Sequence, residues 1–332
     1  MTGPERIEIG LNAAIMAIAE NAPAILRIPA GSGAAHDALP FGPFDPASHR
    51  TMERGLRQWV EEQTGLRLGY VEQLYTFGDR GRHREDGDRQ QRQEPHVVSV
   101  GYLALTLPGD EHAARLRQSG ASWKNCYQFL PWEDWRDGRP GLIDEVILPR
   151  LADWAARGGS RGGAASAASL RQANENRIRL AFGLDGVPWD EERVLERYEL
   201  IYSAGLVGEA VADGRIGAVT GSQPLGVQMM HDHRRILATA LSRLRAKLKY
   251  RPVIFELMVE EFTLLQLQQT AESIMGRKVH KQNFRRLVET NKLVEPTGKT
   301  STATGGRPAA LFKFRREVIA ERQAPGLRLG RG

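Results

Sequence analysis

The sequence predicts an α+β protein in two domains, a mixed helix-and-sheet domain followed by a small basic one, and three observations carry that prediction. Short β-rich runs alternate with helical stretches over residues 1–150, between Gly, Pro and Asp breakers. Charge divides along the chain: residues 231–332 hold 21 Lys+Arg against 9 Asp+Glu, whereas residues 1–230 hold 25 against 31. Residues 264–314 read in order as helix, helix, strand, polar loop and strand. At 332 residues the chain is long enough for each domain to bury its own core.

Composition narrows the class further. Hydrophobic residues at 41% and charged residues at 26% exclude wholesale disorder and fibrous repeats. The single cysteine, Cys126, excludes an intrachain disulfide framework and a multi-cysteine zinc site. It suits a reducing cytoplasm and reads as a small buried hydrophobe. The apolar stretch at residues 11–18 lacks the basic start and cleavage pattern of a secretion signal. No run approaches the roughly 18 apolar residues of a membrane helix. A cytoplasmic protein without a membrane partner is expected.

Along the first domain, residues 24–28, residues 96–107 and parts of 70–77 read as strands, because β-branched and aromatic residues cluster there. Residues 48–64 read as a helix ended by Gly65, which has no Cβ to oppose a left-handed C-cap. Residues 80–94 are nearly all charged or amide and read as a mobile loop. An amphipathic helix is expected at 143–156, and the Gly, Ser and Ala of 158–169 have linker composition. Helical residues 190–211 lead to a second polar stretch at 212–226, where the main boundary is placed: a first domain at 1–228, a second at 229–318 and a flexible tail at 319–332.

The second domain opens with residues 232–249, where Ile236, Leu237, Ala240, Leu241, Leu244 and Leu248 recur at helical spacing. Arg234, Arg235, Arg243, Arg245, Lys247 and Lys249 fill the remaining positions, so this is read as a linker or dimerisation helix. Pro252 stops it, and residues 253–258 read as a short strand. Thr263 followed by Gln266 is a capping box that starts a helix at Leu264, which stops near Gly276. A second helix at 278–290 buries Val279, Phe284, Leu287 and Val288 and leaves His280, Lys281, Asn283, Arg285 and Arg286 largely outward. Residues 293–296 end a strand, 297–307 form a polar loop carrying Lys299 and Arg307, and 309–314 form a returning strand. That order is a winged helix-turn-helix, whose second helix enters the major groove of double-stranded DNA while the wing touches phosphate or the minor groove. Asn283 can pair bidentately with adenine, and Arg285 or Arg286 with guanine.

Residues 52–66 resemble a damaged Nudix box. Anchored on Gly65 and Leu66, Val60 fits, but Gln58 and Trp59 stand where the box has Arg-Glu, Glu62-Gln63 stands for Glu-Glu, and Arg50 stands for the earlier Glu. Pyrophosphate hydrolysis on such a helix requires clustered carboxylates to hold magnesium. Here Glu62 is the one that survives, so no catalytic residue, no metal site and no required cofactor are expected.

The box together with residues 68–79, 233–249, 262–267, 280–286 and Gly306-Arg307-Pro308 resembles the Nudix-related transcriptional regulators of NAD metabolism, in the form found in alphaproteobacteria. The resemblance implies an N-terminal Nudix-like α/β/α sandwich domain before the winged helix. It implies a homodimeric repressor of NAD biosynthesis or salvage genes that binds a palindromic operator and senses NAD, ATP or ADP-ribose. Such a nucleotide needs cations for its diphosphate and an aromatic surface for its base, for which Arg50, Arg54, Arg80, Arg82, Tyr75 and Phe77 are the candidates. The alternative reading is an active Nudix pyrophosphatase acting on ADP-ribose or NADH, supported by Glu61 and Glu62.

Overall fold

The computed structural model describes residues 7–29, 36–79, 96–157, 164–214, 225–302 and 308–318. The apolar run at 11–18 lies inside β1 (Ile7–Ala19), the strand on which the first domain is built. β1 pairs parallel with β6 (His96–Leu105) and antiparallel with β2 (Ala22–Pro29) and β4 (Phe41–Pro43). Glu20 and Asn21, both at positive φ, turn the chain from β1 into β2. β3 (Asp37–Ala38) and β7 (Ser122–Asn125) flank β2, and β5 (Tyr70–Phe77) closes the other edge beside β6.

Both faces of this sheet are covered. Leu11, Ala13 and Ile15 point to one side, where α1 (Met52–Thr64) contributes Leu56 and Val60 and α2 (Asp110–Gln118) contributes Leu116. Ala14 and Met16 point to the other, where α8 (His233–Tyr250) contributes Ile236, Leu237, Ala240 and Leu241. With both faces buried, β1 reads as one continuous apolar run instead of alternating, so periodicity did not expose it as a strand. A Cβ on Gly101 of β6 would come within 3.2 Å of Ile236 Cγ2, so α8 lies close against the strand. This is the expected α/β/α sandwich, but α8 is one of its layers and not an outlying linker. α6 (Val194–Ser203) packs on α8 and carries α5 (Ala164–Phe182) and α7 (Gly208–Ala212), α4 (Leu148–Arg157) packs on α5, and α3 (Cys126–Phe129) on β2, all in one buried cluster.

The second domain consists of α9 (Leu264–Met275), α10 (Lys281–Thr290) and a three-stranded sheet in which β10 (Ala309–Phe314) lies between β8 (Phe262–Thr263) and β9 (Val294–Ser301). Its core residues Ala271, Ile274, Phe284 and Val288 continue the same buried cluster as Leu244 and Leu248 of α8.

Several boundaries move for identifiable reasons. Residues 253–257 form a 3-10 turn, not a strand, since Val253, Ile254 and Leu257 bury at helical spacing. The second helix begins at Lys281, because Gln268 and Glu272 of α9 bond the backbone of Val279 and hold it out of helical register. Residues 297–301 extend β9 into the stretch read as loop. Residues 164–169, assigned to a linker, begin α5, where alanine's helix propensity outweighs the serine. The helical reading of 190–211 resolves into α6 and α7, separated at Gly205, whose φ is +74°. The loop at 80–94 and the tail at 319–332 lie outside the described residues.

Candidate nucleic-acid interface and ligand cleft

α9 begins as its capping box requires: Gln266 N donates to Thr263 Oγ1 at 3.2 Å, and Thr263 N donates to Gln266 Oε1 at 2.8 Å. It ends at Gly276, whose φ of +67° reverses the chain toward α10. On α10, Phe284 and Val288 are buried while Lys281, Gln282, Asn283, Arg285, Arg286 and Glu289 are exposed. Helical phase places Gln282 and Arg286 opposite the buried stripe, with Asn283 and Arg285 on its two flanks. Gln282 was missed from the sequence, although its phase relative to Phe284 and Val288 marks it. His280 is the exposed N-cap, so the helix's first amides and Lys281 together face outward with positive potential. On the wing, exposed Lys299 pairs with Glu261 at 2.8 Å; Arg307 lies outside the described residues.

The positive charge of the C-terminal region is less available than its count suggests. On α8, Arg234 pairs with Glu209, Arg235 with Glu199 and Asp79, Arg245 with Glu133, Lys247 with Glu72 and Lys249 with Glu192. These cations neutralise acids of the first domain. Residues 251–318 hold 12 Lys+Arg against 7 Asp+Glu, a smaller excess, and Arg277 and Lys278 among them pair with Glu191 and Asp137 of the first domain.

In the first domain, Thr51 caps α1 and Gly65 ends it at φ +73°. Two former carboxylate positions are spent on holding β4. Gln63 Oε1 accepts from Phe41 N at 3.1 Å, and its Nε2 donates to Phe41 O at 2.6 Å. Trp59 Nε1 donates to Pro43 O at 2.9 Å, and the indole covers Gly42, where any Cβ would collide with it. Glu62 accepts from Gln58 at 2.8 Å, and Glu61 pairs with Arg67 at 2.9 Å. This donor set does not fit a divalent cation: an indole and an amide face the strand, and among the described residues no three acidic, His or Cys side chains gather as metal ligands.

Beside this helix opens a cleft of about 680 Å³, lined by Ser48, His49, Arg50, Arg54, Arg57, Gln58, Glu61 and Glu62. Arg50 and Arg54 are exposed at its rim, while Arg57 is committed to Glu53 and to the carbonyls of Leu68 and Gly69. A second cavity of about 230 Å³ lies between the ends of β1, β4 and β6 and the start of α8, where Asn12, Ser99 and His233 are buried around it. The structure brings Arg50 and Arg54 together but not the two aromatics. Tyr75 is exposed over a cleft beside α6 and α8. Phe77 is core, covered by the Arg235 guanidinium 4.5 Å from its ring centre, so it offers no face to a base. Arg80 and Arg82 lie outside the described residues. Cys126 is buried, and burial pushes its thiol far above the ordinary range.

Fold and site together define a Nudix-like sandwich, with Trp59 and Gln63 of α1 bonded to β4, joined to a winged helix with a cationic second helix. Residues 254–314 match the family of NrtR DNA-binding winged helix domains. The whole architecture resembles two crystal structures of NrtR from Shewanella oneidensis. With the one complexed with a 27mer DNA the identity is 18%, the TM-score 0.53, and coverage 94% of this chain and 95% of that one. With the other, the identity is 17% and the TM-score 0.52, over 94% and 96%. A curated relative, the ADPR responsive transcriptional repressor NtrR of Acinetobacter baylyi, is 38% identical over 96 residues, which span 29% of this chain and 38% of that protein.

Proposed function

We propose that the chain is a transcriptional repressor of NAD biosynthesis or salvage genes, working in the cytoplasm and controlled by ADP-ribose. The observation that carries this reading is a cationic recognition helix on a winged-helix domain, coupled to a sandwich in which carboxylate positions of the Nudix box instead hold β4. α10 enters the major groove, with Arg286 and Gln282 directed at base edges, Asn283 and Arg285 beside them, and His280, Lys281, Lys299 and Arg307 on phosphates. A homodimer on a palindromic operator, its half-sites about one helical turn apart, is the natural geometry for such a module.

The arginine-rimmed cleft holds the effector's diphosphate: Arg50 puts a cation where the box's earlier carboxylate stood, and Arg54 lies one turn further on. ADP-ribose is favoured over NAD and ATP by the responsiveness stated in the Acinetobacter relative's name. Without a fitting metal site, the domain senses the nucleotide and leaves it intact. The test is thermal denaturation with ADP-ribose, NAD and ATP in turn, repeated with promoter DNA from NAD synthesis genes. A nucleotide-dependent shift for ADP-ribose alone, together with salt-dependent operator binding, is expected; no shift with any of the three refutes the sensor reading.

A further inference from the structure

At the junction of the two domains lies a buried ionic cluster that neither the recognition helix nor the ligand cleft explains. Glu133, Arg197 and Arg245 are all essentially inaccessible to solvent. Glu133 takes Arg197 on both oxygens, at 2.6 and 2.8 Å, and Arg245 Nη1 at 2.6 Å. Two guanidiniums meet one carboxylate; the carbonyls of Ala181, Asp190, Glu191 and Glu133 take further donors, and the second domain completes the set. Arg245 Nε donates to the Ile274 carbonyl at 2.8 Å, and Tyr127 Oη donates to the Ser273 carbonyl at 2.5 Å. Trp135 N donates to the Gly276 carbonyl at 2.6 Å. The free carbonyls that end α9, and the negative end of its dipole, are therefore capped by the first domain. Space is tight as well: a Cβ on Gly276 would sit 2.7 Å from Arg245 Nη2 and 3.0 Å from Tyr127 Oη. One residue on, Arg277 pairs with Glu191, so the turn leading into α10 is held on both sides.

We propose that Glu133, Arg245 and Tyr127 form a positioning clamp that fixes the orientation of the DNA-reading helices to the conformation of the sensor domain. This rests on the sensor-repressor reading above. α8 supplies the continuity, running ~18 Å from His233, at the small cavity that Phe41 and Gly42 of β4 also line, to Arg245 at the clamp. A displacement of α8 moves Arg245, and with it the end of α9 and the start of α10. Lifting α9 away leaves Arg245 Nε and the buried Tyr127 hydroxyl without their acceptors, a cost that ties the end of α9 to the first domain. In the sequence Arg245 is one of the cations filling the positions beside the apolar stripe of α8, and only its burial against Glu133 and Ile274 reveals this use.

The clamp is tested on the full-length protein with Glu133→Gln and, as a milder variant, Tyr127→Phe. Three quantities are read for each: operator affinity with and without ADP-ribose, direct ADP-ribose affinity, and hydrogen exchange. For Glu133→Gln the effect of ADP-ribose on operator affinity is expected to fall to within about twofold of unity, with ADP-ribose affinity unchanged. Exchange is expected to rise at residues 262–290 and to stay unchanged in the sheet. If Glu133→Gln does not fold, Tyr127→Phe carries the test, with a loss of coupling of about threefold or more expected. Coupling equal to the wild type in the folded variants overturns the clamp. If wild-type operator affinity ignores ADP-ribose, it is the effector reading that fails, and the clamp stands or falls on exchange: unaltered protection at residues 262–290 overturns it.

Discussion

Gln63→Glu restores a carboxylate to the Nudix box, and the structure predicts a less stable protein, not an active one. Gln63 holds Phe41 through both its amide atoms, accepting at 3.1 Å and donating at 2.6 Å. A carboxylate keeps the accepting bond, loses the donating one, and sets an anionic oxygen against the Phe41 carbonyl. Losing the donor and leaving a half-buried carbonyl unmatched costs about 1–3 kcal/mol. That corresponds to a fall in melting temperature of ~1–4 °C for a protein of this size. The repulsion also raises the introduced group's pKa above its unfolded value. The penalty is then present at neutral pH and relieved as pH falls and the group protonates. Differential scanning fluorimetry at pH 7.5 and pH 5, with ADP-ribose hydrolysis in magnesium followed in parallel, reads both effects. A variant as stable as the wild type at pH 7.5, or one that gains magnesium-dependent hydrolysis, refutes the view that this position holds β4 and favours the pyrophosphatase reading.

Other consequences follow from the same structure. Arg286→Ala and Asn283→Ala are each expected to weaken operator binding by about 1–3 kcal/mol and to relax base preference, whereas Lys299→Ala should weaken all sequences alike and lower the salt slope by about one. Anisotropy titrations on operator and scrambled DNA separate the two patterns. Arg50→Glu is expected to abolish ADP-ribose binding in calorimetry while leaving operator affinity without nucleotide unchanged; retained binding places the diphosphate elsewhere. At Glu133, burial pushes the carboxyl up, but the charges and hydrogen bonds of Arg197 and Arg245 outweigh it and hold the group below its ordinary value of 4.5. Its contribution is present above 4.5 and lost as pH falls through the depressed folded value. Acid unfolding of the wild type should thus steepen below pH 4.5, and Glu133→Gln should flatten that limb while being less stable at pH 7.

What the sequence revealed and what it hid differ by kind of interaction. The winged helix was legible because its signals are local: a Thr263–Gln266 cap, a Gly276 stop, and Phe284 and Val288 four residues apart under a cationic surface. β1 was hidden because burial on both faces removes alternation. Phe77 was taken for a ligand surface since sequence shows its aromaticity but not that Arg235 covers it. The α8 cations read as a polyanion-binding excess because their acidic partners, from Glu72 to Glu209, are distant in sequence. Glu133 carried no local mark at all; its meaning comes from Arg197, Arg245 and the end of α9 meeting in space.

The most direct test is a titration of full-length protein onto a labelled promoter fragment from NAD synthesis genes, with ADP-ribose added at fixed salt and its integrity checked afterwards. Sequence-specific binding that weakens with salt and changes by about fivefold or more with ADP-ribose is expected, with the nucleotide recovered intact. Binding that ignores sequence and ADP-ribose alike, or ADP-ribose consumed in the reaction, contradicts the sensor-repressor reading.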